Sequence, residues 1–277
     1  MRQHFTFDVD DADFGALAQW AEQANAVCFL ADGSVRDRQG RVLISQGEPA
    51  IDDDAQVPYP PDAIERRAHH LAQLSAQGIR VLPSLPPVAG EGEARVRDAA
   101  MVTLRMLALF AVALRAEMLA AGDTPPSLEE VAARLPGAAV ALSPQERAFF
   151  AQAAPDAQAL ANFGWRYESL AVLQWTLGLA AALPEPVAPC DVPLAAQRAL
   201  DHAAAAVRPV LALRPLPELL DVLDRHLRLH WAVRQAGPSG QPVPAGIVPG
   251  VVYERHYALN WLLHFEDAEW DEVDTPT

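Results

Sequence analysis

Hydrophobic and polar positions change rhythm near residue 90. In the first part, "DADFGALAQWAEQAN" carries Phe14, Leu17, Trp20 and Ala21 at helical spacing. "AVCFLADGSVRDRQGRVLIS" follows, a β-rich run with the turn signal Asp32-Gly33 and a second glycine at Gly40, which predicts a hairpin or small meander. An acidic, Pro-rich connector, "DDDAQVPYPP", leads to "DAIERRAHHLAQLSAQG". There Asp62 is the N-cap, Glu65 the capping-box partner and Gly78 the stop of a helix. "IRVLPSLPPVAGEGE" is extended and breaks up in Pro and Gly, which puts a domain boundary near residue 90.

From there on the periodicity is helical. A long helix is expected over Arg97–Ala121, ended by Gly122, Pro125 and Pro126. "SLEEVAARL" and "SPQERAFFAQA" each open with a Ser N-cap and place Glu at N3. "WRYESLAVLQWTLGLAAAL", "PLAAQRALDHAAAAV" and "LPELLDVLDRHLRLHWAVRQA" read as further helices. The loop "GPSGQPVPAGIVPG" then leads into "VVYERHYALNWLLHF", apolar on almost every side from Tyr257 to Phe265. The expected fold class is α+β, predominantly α: a small hairpin-containing α/β unit over 1–90 and an α-helical domain of six or seven helices over 91–277.

Helical wheels place charged groups on apolar faces. Glu168 lies among Trp165, Val172, Trp175 and Leu179, and Glu254 among Ala258, Trp261 and Phe265. Arg105 lies among Met101, Ala108, Leu109 and Val112. Arg234 falls on the face of Leu220, Leu223, Leu227 and Trp231, with His230 close beside it. A charge buried alone costs several kcal/mol, so each needs a partner. One interior cluster of Glu168, Glu254, Arg105, Arg234 and His230 is therefore expected. It serves either to fix helix register or to do chemistry, with Glu168, Glu254 or His230 as catalytic candidates.

Composition narrows the functions. The net charge of −15 argues against nucleic acid and anionic membranes and leaves room for a basic protein partner. The chain of 277 residues contains no lysine, which excludes Schiff-base and P-loop lysine chemistry. Two distant cysteines, Cys28 and Cys190, make neither a disulfide framework nor a zinc site. The start has no signal-peptide core, and the apolar run Ala99–Leu114 is interrupted by Arg105 and shorter than the ~20 residues of a span. No membrane association and a cytoplasmic location are expected. His226 and His230 have a metal-capable i,i+4 spacing, but "HLRLH" lacks the zincin glutamate and Asp221 and Asp224 project to the other side. No metal or other cofactor is expected. "EDAEWDEVD" lacks calcium-loop spacing and reads as a solvated tail anchored by Trp270.

The motifs "WRYESLAVLQWTLG", "LHWAVRQA", "GVVYERHYALNWL" and "WDEVDT", with "GIRVLPSLPPV" ahead of them, resemble the bacterial domain of unknown function 4272. The resemblance covers about Asp62 to Thr275; the family's usual ending "WDxxxTDT" stands here as "WDEVDTPT". It implies a mainly α-helical domain and no particular activity. Its motif positions here are Trp165, Arg166, Glu168, Trp175, His230, Trp231, Arg234, Glu254, Arg255, Asn260, Trp261, Trp270 and Asp271. Three functions follow as expectations. The first, and the one preferred, is an interaction module with a filled core and an acidic or apolar patch for a basic partner. The second is an enzyme or small-ligand binder, its anionic substrate held by Arg105, Arg166, Arg234 or Arg255, with Trp165, Trp231, Trp261 and Asn260 as further contacts. That reading requires a cavity reaching Glu168 or Glu254. The third is a metal-dependent hydrolase using His226 and His230.

Overall fold

The computed structural model of the chain describes residues 5–10, 12–47, 49–205, 211–237, 243–244 and 246–277. Two compact units emerge, 1–64 and 65–277. In the first, helix α1 (Phe14–Gln23) precedes three short strands, β1 (Cys28–Phe29), β2 (Val35–Arg36) and β3 (Val42–Ile44). They form the expected antiparallel meander, with Cys28 opposite Arg36 and Val35 opposite Ile44. Aspartates set both turns. Asp32 accepts from the Ser34 N–H at 2.8 Å, and Gly33 takes φ 79°, which a side chain disfavours. Asp37 accepts from the N–H groups of Gln39, Arg41 and Gln56. Burial pushes its carboxyl up, but these three donors outweigh it and hold the group below its ordinary range.

The division falls inside α2 (Pro61–Ala76), one helix earlier than the Pro/Gly content suggests. The reason is packing: Leu74 and Ile79 form a small core with Leu229, Ala232 and Val252. The Pro-rich strip after α2 is pinned to the same unit. The Val88 N–H donates to Asp224, and the Pro86 and Ala89 carbonyls accept from Arg228 and Arg66.

Around α3 (Ala99–Ala121) gather α4 (Leu128–Arg134), α5 (Ala138–Ala141), α6 (Pro144–Ala151), α7 (Ala157–Gly164), α8 (Arg166–Thr176) and α9 (Val192–Ala204). Helix α3 has the length and hydropathy of a membrane span, because it continues to Ala121, past the apolar run Ala99–Leu114. Here it is the core helix, with Met106 to Ala113 buried throughout. Asp98 caps its start and Gly122, at φ 82°, ends it. Both Ser/Glu capping boxes form, at Ser127/Glu130 and Ser143/Glu146. The helix expected over 165–183 stops at Thr176, where Gly178 turns the chain at φ 74°. Helices α10 (Leu216–Ala236) and α11 (Pro249–Leu262) complete the unit, with α11 packed between α8 and α10. The end of the segment "PLAAQRALDHAAAAV" and most of the loop before α11 lie outside the described residues.

The carboxyl-terminal segment is not a solvated tail. Trp270 is buried edge-on against Tyr257 and Trp261, with the Arg105 guanidinium 4.7 Å over its ring. The Tyr257 hydroxyl donates to the Trp270 carbonyl, and Asn260 donates to that of Asp274 at 2.8 Å. Acidic composition hid this because the segment is tied down through its backbone and its indole as well as through carboxylates that find partners far along the chain, Asp271 accepting from the Gln145 N–H at 2.9 Å and Asp267 pairing with Arg95.

A candidate functional site between α6, α7, α8, α10 and α11

The single polar cluster expected from the wheels is divided into separate pairs. Arg105 on α3 pairs with Glu146, the N3 residue of the second capping box, and donates to the Ala141 carbonyl at 3.0 Å. Glu168 on α8 pairs with Arg255 on α11 at 3.0 Å. Glu254 on α11 pairs with Arg166 on α8 at 2.9 Å. Arg234 joins none of them: it is exposed and donates to the Thr277 hydroxyl at 3.1 Å. The wheel misplaced it because α10 buries a second face. There Asp224 lies fully buried between Arg228 and His70, a network the sequence reading passed over.

A half-open cleft of about 560 Å³ reaches one of these pairs. Arg166 and Glu254 line it together with His230 from α10, Tyr253 from α11, and Asn162 and Trp165 from α7 and its junction with α8. Trp165 takes near-helical angles, φ −62° and ψ −17°, so α7 runs into α8 with the indole at the bend. A Cβ on Gly250 would stand 2.9 Å from that indole, so the first turn of α11 needs a glycine there for Trp165 to lie against it.

Hydrogen bonds at the cleft are uneven. Glu254 Oε2 accepts from Arg166 Nη1 and from the buried Ser169 hydroxyl, each at 2.9 Å. Among the described residues, Glu254 Oε1 accepts no bond and Arg166 Nη2 donates none, and neither is sealed from solvent. The guanidinium lies 4.9 Å over the Tyr257 ring. His230 Nδ1 stands 3.0 Å from His256 Nδ1, so one imidazole donates and the other accepts, leaving His230 Nε2, on a residue that lines the cleft, without a partner among the described residues.

Burial dominates the proton affinities. It raises the Glu254 carboxyl, against the opposing pull of Arg166 and Ser169. It lowers His230 to about 4, with Arg234 adding in the same direction, and His256 well below 6.5, with His230 and His226 adding. Tyr253 is raised, first by burial and then by Glu254. Neutral imidazoles beside a carboxyl of raised proton affinity make a surface suited to exchanging hydrogen bonds and protons with a small molecule.

The other sequence candidates lie elsewhere. Arg255 and Glu168 are sealed, with the Glu168 carboxylate also accepting from the Cys190 N–H. Trp261 is buried beneath the Arg97 guanidinium and Asn260 holds the carboxyl-terminal segment. Trp231 is half-buried against the small core below α2. His226 is buried, its Nδ1 bonded to the Val222 carbonyl at 2.7 Å, and burial lowers it to about 3. Among the described residues there is no group of three or more His, Cys, Asp or Glu placed to hold a metal. Ser169, Tyr253, His256 and Gly250 were missed as site residues. A usable signal existed: "RYES" and "ERH" carry opposite charges in an order that lets α8 and α11 pair twice.

No curated protein and no solved structure matches the chain in comparison searches. Residues 66–273 match the family described as Domain of unknown function (DUF4272), which spans the helical unit, including the two Arg–Glu pairs between α8 and α11 and the cleft. The chain belongs to that family.

Proposed function

We propose that the helical unit binds a small, uncharged polar molecule in the cleft, over the Arg166–Glu254 pair. The observation that carries this reading is the opening itself: the cleft reaches a buried ion pair whose carboxylate is only half used. Of the small-ligand and interaction readings, only the former requires a cavity at Glu254. An anionic ligand fits poorly. Arg105, Arg166 and Arg255 each already hold a carboxylate, and an anion beside Arg166 would also face Glu254. If the bound molecule reacts, Glu254 is the group placed to take a proton from it.

The test is a thermal-shift panel of neutral amides, carboxylates and amines, on the wild type and on Trp165→Ala. The expected result is stabilisation by a neutral amide, lost in the variant. A ligand at one hundred times its Kd adds about 2.7 kcal/mol, readily seen as a melting shift. A panel in which no compound stabilises the wild type overturns the proposal.

A further inference from the structure

Resting on that small-molecule reading, we infer that the cleft takes a planar ring with a carbonyl and an N–H on one edge: a lactam or an aryl carboxamide. The bond from Arg166 Nη1 to Glu254 Oε2 leaves Nη2 as an open donor and Oε1 as an open acceptor. A lactam edge offers the complement, an oxygen for the arginine and an N–H for the glutamate. Other edges fail at one end. A carboxylate sets an oxygen against Oε1, an amidinium sets an N–H against Nη2, and an N-methyl lactam leaves Oε1 with no donor. A site with buried polar atoms rejects an analogue that leaves one unpaired far more strongly than it rejects a missing methylene.

The walls argue for the plane. Trp165 is 37% exposed and Tyr253 43% exposed, both lining the cleft, and the bare Gly250 lets the indole sit against the start of α11. Aromatic faces with one wet side are platforms for a flat ring. His230 adds adaptable recognition at a second point. Its Nε2 donates or accepts according to which imidazole of the His230–His256 pair carries the shared Nδ1 proton. The ligand's other polar group can therefore be of either kind without an unpaired atom.

Tryptophan fluorescence and saturation-transfer NMR titrations with 2-pyridone, N-methyl-2-pyridone, benzoate and benzamidine test the inference. On the wild type, 2-pyridone should bind about tenfold or more tighter than each of the other three. Glu254→Gln replaces the open acceptor by an amide whose oxygen faces Arg166, so its NH2 now faces the ligand. The order should invert, with benzoate ahead of 2-pyridone. Should that variant not fold, the methylation pair on the wild type decides alone. Equal binding of the two pyridones, or tighter binding of benzoate or benzamidine to the wild type, overturns the inference. If these rings fail while another amide of the wider panel binds, the small-molecule reading stands and the lactam edge falls. If nothing binds, both fall.

Discussion

Helices α8 and α11 are joined by two Arg–Glu pairs of opposite sense, and the two have different fates. In one, α8 supplies the carboxylate and α11 the guanidinium: Glu168 with Arg255, whose side chains are 2% and 0% exposed. In the other the roles are reversed, Arg166 with Glu254, at 16% and 7%. The sealed carboxylate uses both oxygens, one on Arg255 and one on the Cys190 N–H, while Arg255 also donates to the Pro184 carbonyl. The cleft carboxylate uses one oxygen and leaves the other open. Identical chemistry within two residues on each helix is therefore closed off in one place and open to a cleft in the other. Saturation of the acceptors, not the charges themselves, distinguishes them.

Acid challenges both regions at once and should have the largest effect. His226, His230 and His256 have folded pKa values below their ordinary 6.5, so the unfolded chain binds more protons. Their contribution is complete above pH 6.5 and is lost as pH falls toward about 4 for His230 and about 3 for His226. Each histidine that takes up a proton only on unfolding adds a slope of about 1.4 kcal/mol per pH unit. Urea midpoints between pH 7 and pH 4 measure it; a flat profile breaks the assignment of buried neutral imidazoles. Glu254 runs oppositely: with its folded pKa raised, its contribution is present below its ordinary 4.5 and lost as pH rises through the folded value.

Glu168→Gln leaves Arg255 sealed without a countercharge and should cost about 3–5 kcal/mol in urea unfolding at pH 7. Glu254→Gln should cost less, about 1–3 kcal/mol, because Arg166 keeps partial access to water and the Gln oxygen still accepts. Equal losses would erase the distinction between sealed and open pairs. Gly250→Ala drives a Cβ against the Trp165 indole and should cost about 1–3 kcal/mol by overpacking, with a shift in tryptophan emission that Glu168→Gln does not produce. Arg234→Ala marks the floor of the scale, at or below about 0.5 kcal/mol, since it removes one exposed contact to Thr277.

Local chemistry was legible in the sequence. The two capping boxes, the Gly122 stop and the Asp32-Gly33 turn were readable because a few adjacent residues satisfy their own backbone groups. The wheels also showed that Glu168, Glu254 and Arg105 are buried, because face and periodicity are properties of one helix. They failed for Arg234 and Asp224, since α10 packs on two sides and a single apolar stripe no longer marks the buried face.

What the sequence by itself determined is therefore the inventory: predominantly helical elements, their caps, the small meander, the family, and which charges had to find partners. Only the tertiary structure decided who those partners are. It set Glu146 rather than Glu168 or Glu254 beside Arg105, folded Trp270 inward, and opened a cleft at one Arg–Glu pair while closing the other. The physical reason is range. Caps and periodicity act within a turn or two of chain, whereas ion pairing and cavity shape join residues 41 to 88 positions apart and depend on how whole helices cross.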